Sequence, residues 1–341
     1  MSAIEIATEK PLVLIVGAGL GGLTLGALLE KADIPYQILE RIETIKPYGS
    51  TMCISAPLLP LFHQLGIADE FIAVAKLSPR VHIHQEDSLK PAFVSDFSVF
   101  CDLTGYESYT ASRPVVHNLL LNQIPANKIH FGKRILTIKE EDSKMIVRAA
   151  DGTTFRGDIV VGADGTYSAV RQRLYELLAS QDRLPKEDLE DLPFSCTCLV
   201  GQTNPLDPED FLILKESDCH FSTILVKDKP YTIALLTTAQ STICWLVLHH
   251  LDSESIKTAE KQRFRSCDNS EWGPYQALAM CGETRAFSIP MGDKFKTLGD
   301  IYDNTPSDLI TKVMLEEKVF ETWYSGRTHA TKSTPLALKA Q

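Results

Sequence analysis

Three glycines, Gly17, Gly19 and Gly22, stand at GxGxxG spacing directly after the apolar run Leu12-Val13-Leu14-Ile15-Val16 and ahead of a stretch with helical periodicity. In such a turn the first glycine permits a tight bend, the second lets backbone approach a pyrophosphate, and the third allows close helix–strand packing. The helix N-terminus then offers unpaired N–H groups and a partial positive charge to phosphate. Glu40 lies 18 residues past Gly22 at the end of a second apolar run. A carboxylate there accepts hydrogen bonds from ribose hydroxyls and repels a 2′-phosphate. These residues predict a dinucleotide site and by themselves do not separate FAD from NAD. The competing reading is a glycine-rich turn with no ligand.

A second constellation, Gly162-Ala163-Asp164-Gly165-Thr166-Tyr167-Ser168-Ala169-Val170-Arg171, again joins a buried run, Ile159-Val160-Val161, to a helix start. Asp164 falls where a strand ends, Gly165 frees the backbone, and Ser168 can cap the helix holding Val170 and Arg171. Two phosphate-cradling turns in one chain suggest a flavin dinucleotide site with a route for a second nucleotide.

The elements that must position these residues follow from hydrophobic period. Leu12 to Val16 reads as a central parallel strand, Leu25, Leu28, Leu29 and Ala32 as one side of a helix, and Tyr36 to Leu39 as a second strand, giving a βαβ unit. Pro57 to Leu65 predicts a short helix stopped at Gly66, and Pro114 to Ile124 another with Val115, Leu119 and Leu120 on one side. Pro79 to Phe100 reads as strands. Ile135 to Ile138, Met145 to Ala149 and Thr154 to Phe155 read as a meander turned at Asp151-Gly152. Gln181 to Pro193, acidic and flanked by proline, is a candidate domain crossing. Cys196 to Val200, Phe221 to Val226, Thr232 to Leu236 and Cys244 to Leu248 predict one antiparallel sheet. Pro306 to Val313 reads as a helix and Val319 to Tyr324 as a last strand. The order means that the chain leaves an α/β domain for a strand-rich insert and comes back.

Composition narrows the function classes. The 341 residues are 44% hydrophobic and 23% charged, an ordinary globular balance that excludes disordered and collagen-like classes. A net charge of −10 argues against nucleic acid or an anionic membrane as partner. Leu12 to Leu29 runs 18 residues without a charge, the minimum for a membrane span, but its five glycines and its change of period favour strand, turn and helix. The eight cysteines show no CxxC pair, which predicts reduced, mostly buried thiols. His249-His250 would point to opposite faces of a strand, so no metal is expected there. With an acidic start and no signal peptide, the expected location is cytoplasmic.

With these residues in place the chain resembles the class A flavoprotein monooxygenases, the para-hydroxybenzoate hydroxylase family, and in particular its fungal members. The Gly162 to Arg171 segment is similar to the family's DG motif. Glu40-Arg41 is similar to the acidic residue and arginine that follow its second strand. Arg113 matches an arginine that contacts FAD near its pyrophosphate, and Trp323 to Arg327 resembles the strand leading to a third motif. The resemblance runs from about Pro11 to Arg327. It implies a Rossmann-like α/β FAD-binding domain with an inserted antiparallel β-sheet substrate domain. The expected divisions are residues 10–78, 101–184 and 286–341 for the first and 79–100 and 185–285 for the second. It also implies FAD held by Gly17, Gly19, Leu20, Gly22, Glu40, Arg41, Arg113, Asp164 and Gly165, with NADH or NADPH as co-substrate. The reaction implied is O2-dependent hydroxylation of an aromatic or polyketide-like small molecule lying against the inserted sheet, by flavin-centred chemistry with no metal and no obligatory protein nucleophile. The alternatives are a flavin dehydrogenase or reductase of the same fold, a simple NAD-linked Rossmann dehydrogenase and a catalytically inactive remnant.

The remnant reading comes from the tail. Where the family continues with Gly-Asp, small residues, Pro and a glycine-rich helix start, this chain reads Thr328 to Gln341. Back-translated with free third bases and read one base earlier behind a G, those fourteen residues give Asp-Ala-Cys-His-Lys-Val-Asn-Pro-Ala-Gly-Ser-Glu-Gly-Ala, close to the third motif. We expect the tail to be an out-of-frame reading that weakens FAD binding. Transcript codons across Arg327 that cannot yield the motif in the shifted frame would overturn this.

Overall fold

A computed structural model describes residues 10–44, 51–190, 192–263 and 274–330. The chain divides into two compact units, one of Met1–Lys46, His117–Leu192 and Glu317–Gln341, the other of Pro47–Val116 and Pro193–Glu316.

The first unit is built on a six-stranded sheet in the order Tyr324–Ser325, Thr328–Ala330, Ile159–Gly162, Val13–Val16, Tyr36–Leu39, Ile129–His130. Val13–Val16 is buried along its whole length, as its apolar side chains on both faces demand, and pairs in parallel with Tyr36–Leu39 on one side and Ile159–Gly162 on the other. The helix Leu20–Lys31 covers one face through Leu23 and Ala27. It sits so close that a Cβ on Gly26 would lie 2.9 Å from Ile38 Cδ1. The uncharged stretch from Leu12 to Leu29 is thus a strand, a turn and part of a helix. The meander Ile135–Glu141, Lys144–Ala149, Thr154–Gly157 is antiparallel as expected. Its Ile135, Met145, Val147 and Ala149 join Leu14, Val16, Leu39, Val160 and Val170 in one apolar cluster.

Two carboxylates tie this unit together. Asp158 accepts the backbone N–H of Leu12 at 2.9 Å and the ammonium of Lys144 at 2.5 Å. Asp188, on the short helix Lys186–Leu189 and only 5% exposed, accepts the N–H groups of Glu321 and Thr322, each at 2.9 Å. Those contacts hold 321–322 outside any ladder, so the expected strand Val319 to Tyr324 does not form. In its place Tyr324–Ser325 and Thr328–Ala330 pair antiparallel around Gly326, whose φ is +55°. Thr328–Ala330 then runs parallel to Ile159–Gly162 with Thr328 opposite Val160. The remainder of the tail, 331–341, lies outside the described residues.

The second unit holds a seven-stranded sheet, ordered Thr311–Glu316, Phe194–Gln202, Ile243–His250, Tyr231–Thr237, Phe221–Leu225, Arg80–Gln85, Phe93–Asp96. It is antiparallel except where Phe221–Leu225 meets Arg80–Gln85 in parallel. Alternation sends Leu199, Ile233, Leu235, Trp245 and Val247 into one core with Ala277, Met280, Ile289 and Ile301. Trp245 is fully buried and donates its indole N–H to Thr305 Oγ1 at 3.0 Å. Gly201 makes room for it, since a Cβ there would lie 2.4 Å from the ring.

The segment expected as a helix from Pro306 to Val313 is a single 3-10 turn, Ser307–Leu309, followed by the edge strand Thr311–Glu316. Pairing with Phe194–Gln202 outweighs the local helical spacing. The run expected as strands to Phe100 ends instead in the helix Val99–Thr104. The helix Leu59–Leu65 does stop at Gly66, at φ +78°. A smaller sheet pairs Thr51–Ile54 and Lys76–Leu77 with Tyr109–Ser112.

His249 stacks on Tyr231 with ring centroids 4.5 Å apart, and His250 bonds Thr232 Oγ1 at 3.0 Å. Burial pushes the Cys198 and Cys244 thiols up to about 12. Among the described residues no helix is long and apolar enough to cross a membrane, and no three His, Cys, Asp or Glu side chains are grouped to hold a metal ion.

Candidate dinucleotide site

Three neighbouring strands of the first unit, Tyr36–Leu39, Val13–Val16 and Ile159–Gly162, end at the same edge of their sheet. From Val13–Val16 the chain passes by way of a helix to a neighbour on one side, while its other neighbour comes from far along the sequence. That makes the end of Val13–Val16 a topological switch point, where open α/β sheets leave a crevice for ligands. The strands deliver Gly17, Glu40 and Asp164 to this edge, so the structure gathers the two glycine turns and the acidic residue that the sequence sets apart.

Gly17 takes φ +104°, and a Cβ there would lie 2.5 Å from the carbonyl oxygen of Ala163. The two turns therefore touch at a point only glycine can occupy. A Cβ on Gly22 would meet Gly17 O at 2.0 Å, whereas one on Gly19 would find nothing nearer than 3.9 Å. Gly17 and Gly22 serve the packing, and Gly19 faces open space. Gly19 is also the N-cap of Leu20–Lys31, with no side-chain cap and no acidic residue in the first turn. Leu20, Gly21 and Gly22 consequently present backbone N–H groups with no intrahelical acceptor.

Glu40 is buried, and its two oxygens accept backbone N–H groups, Oε2 from Ala18 at 2.6 Å and Oε1 from Ile42 at 2.9 Å. Its carboxylate clasps the glycine turn, leaving one further lone-pair direction on each oxygen. Arg41 beside it is exposed.

Asp164 Oδ2 accepts Ala169 N–H at 2.6 Å and Val170 N–H at 3.3 Å, capping the helix Ala169–Ser180, while Ser168 Oγ accepts Arg171 N–H at 3.0 Å. The other oxygen, Asp164 Oδ1, is buried without a hydrogen-bond partner among the described residues. An anionic oxygen left unpaired in a buried position is costly, so it calls for a donor such as a hydroxyl. Gly165 takes φ +85°, and a Cβ there would meet nothing within 4 Å among the described residues. Arg171 donates to Thr166 O and lies 4.3 Å over the ring of Phe320. Burial draws its guanidinium below the usual arginine range, against the opposing pull of Tyr175, Asp164 and Asp188.

Arg113 is exposed at the first position of the helix Arg113–Leu121 and belongs to the second unit. One turn on, His117 belongs to the first unit and bonds Ala18 O through Nε2 at 2.8 Å. Sequence reasoning passed over His117, although its i+4 spacing from Arg113 was a usable signal. Asp188 was missed as well, because its partners lie more than 130 residues away.

These groups, the helix N–H donors beside open Gly19 for phosphate and the acceptor Asp164 Oδ1 for a hydroxyl, fit a dinucleotide such as FAD. Comparison with known proteins decides the family: residues 10–195 match the family described as FAD binding domain. The chain belongs to this family. The FAD-dependent monooxygenase pyr5 of Aspergillus fumigatus is 25% identical over 322 residues, covering 92% of this chain. The chain spans 63% of the length of that relative.

Among solved folds, Klebsiella pneumoniae HpxO, complexed with FAD and uric acid, superimposes with a TM-score of 0.69 at 14% identity, covering 95% of this chain and 73% of its own. The 2,6-dihydroxypyridine-3-hydroxylase of Arthrobacter nicotinovorans gives 0.68 at 13% identity, covering 94% and 76%. The para-hydroxybenzoate hydroxylase-like fold expected from the motifs is therefore the fold of the FAD-binding family found here.

Proposed function

We propose that this chain binds FAD at the edge formed by Gly17–Gly22, Glu40 and Asp164–Gly165, and that the protein hydroxylates a small molecule with NADH or NADPH and O2. The observation that carries the reading is the meeting of the two glycine turns at one switch point, with Asp164 Oδ1 of the second turn buried and unpartnered among the described residues. The names of the relatives support the reaction class, and the aromatic or polyketide-like character of the substrate follows from the resemblance.

In this reading the N–H groups of Leu20, Gly21 and Gly22 and the partial positive charge of their helix bind the pyrophosphate. Gly19 lets the phosphate approach the backbone, Glu40 holds the turn and remains able to accept a ribose hydroxyl, and Asp164 Oδ1 accepts a hydroxyl of the cofactor. Arg41 adds positive charge, and Gly165 leaves the second turn open. The flavin supplies electron transfer and oxygen activation, and the chain supplies binding and position.

The deciding experiment is the visible absorbance of the purified 341-residue chain after incubation with excess FAD and desalting. A flavin band that survives desalting is expected, short of one flavin per chain to the extent that the tail weakens binding. A colourless, folded product overturns the reading. If flavin is retained, NAD(P)H oxidation with incorporation of oxygen into product separates a monooxygenase from a dehydrogenase or reductase of the same fold.

A further inference from the structure

Ala18 lies in the middle of the glycine turn, and both of its backbone polar groups are engaged by side chains from distant segments. Its N–H donates to Glu40 Oε2 at 2.6 Å, and its carbonyl accepts from His117 Nε2 at 2.8 Å. The two bonds act on successive peptide planes, 17–18 and 18–19. In a trans peptide the C=O and N–H point in opposite directions. Fixing Ala18 C=O toward His117 therefore fixes Gly19 N–H away from it. Gly19 is also the N-cap of the helix whose first turn presents the phosphate-binding N–H groups.

We propose that His117 is a positioning residue of the dinucleotide site: it locks the 18–19 peptide so that Gly19 N–H and the first helical turn are set before the ligand arrives. A carbonyl can only accept, so the bond requires the proton on His117 Nε2. The remaining nitrogen, Nδ1, is buried with no partner, so Nε2 makes the ring's sole hydrogen bond to protein among the described residues. Glu40 alone leaves the second plane free to rotate about Gly19, whose missing Cβ makes that rotation easy. The assignment rests on the FAD reading for its ligand but not for its geometry.

Two substitutions separate the bond from the bulk of the ring. H117F keeps an aromatic side chain of similar size and removes the donor. H117Q removes the ring and places an amide N–H at about the reach of Nε2. FAD affinity, measured by quenching of flavin fluorescence, is expected to fall about tenfold in H117F and to recover in H117Q, since one hydrogen bond is at stake. Amide exchange of the peptide spanning 17–23, followed without FAD, is expected to speed up in H117F and to stay near wild type in H117Q.

Wild-type exchange and wild-type affinity in H117F overturn the assignment. So does a loss that H117Q shares in full, which would assign the role to the ring's packing. If wild type itself fails to bind FAD, the proposed function falls, and the exchange experiment still decides the role of His117.

Discussion

Glu40 Oε2 accepts the backbone N–H of Ala18 at 2.6 Å, binding the end of one strand to the turn that leaves its neighbour. The second oxygen takes Ile42 N–H, so a residue expected to recognise ribose is first of all a brace for the glycine turn. E40Q turns one acceptor into a donor facing an N–H group, with the charge lost as well. Stability is expected to fall by roughly 1–3 kcal/mol in denaturant titration, with FAD affinity falling alongside. An E40Q chain as stable as wild type would show that the clasp does not hold the turn.

The glycines divide into two kinds, and alanine tells them apart. G22A drives a methyl onto Gly17 O, 2.0 Å away, and has to shift the helix or the turn. It is expected to lower the melting temperature strongly and to abolish flavin retention. G19A meets nothing nearer than 3.9 Å and keeps an ordinary φ of −71°. It is expected to melt close to wild type while binding FAD at least tenfold more weakly, because the methyl stands where phosphate must approach. Equal melting of the two variants would refute the division.

Asp158 gives a pH dependence with a definite sign. The hydrogen bond from Lys144 holds its carboxyl below the usual range, helped by the Leu12 N–H and by the charges of Lys144 and Arg327, against the cost of burial. A carboxyl lowered in the folded state stabilises above its unfolded value of about 3.9, and that stability is lost as pH falls through the folded value. D158N is expected to be less stable than wild type at pH 7, with the gap closing below about pH 3.9. A gap that persists unchanged into acid would assign the effect to packing.

Asp188 holds the return of the chain to the first unit through Glu321 and Thr322. D188N keeps one acceptor and sets an amide against the other N–H, a change of about 1–3 kcal/mol confined to that junction. Limited proteolysis is expected to cut near 317–324 faster in D188N than in wild type, ahead of global unfolding. Identical digestion patterns would count against the clasp.

What the sequence revealed, it revealed where local chemistry is strict. Gly17, Gly19 and Gly22 are legible because a tight turn after a buried strand admits few other residues, and Ser168 because a helix start needs a cap. Glu40 was found by position, but its two backbone partners were not, since a carboxylate's acceptors cannot be read from spacing. Pro306 to Val313 reads as a helix because Pro306 and the apolar spacing behind it suit a helix start, whereas Thr311–Glu316 is a strand. The strand comes from pairing with Phe194–Gln202 at the sheet edge, which no local pattern reports. Asp188 was hidden for the same reason, and the spacing of His117 from Arg113 named no partner for it. Each acts on backbone 99 or more residues away, and neither breaks a local rule where it stands.

The parallel contact between Thr328–Ala330 and Ile159–Gly162 has a consequence for synthesis on the ribosome. The strand at Gly162 emerges about 170 residues before the one that covers its flank. At 5–20 residues per second that flank waits roughly 10–30 s, an apolar strand edge with unpaired backbone groups. All the while the second unit, whose sheet is complete by Glu316, is assembling. The nucleotide-binding unit thus gains its flanking strand only after the sheet of the second unit has been synthesised, and whatever shields Val160 and Val161 in the interval sets the yield of folded protein.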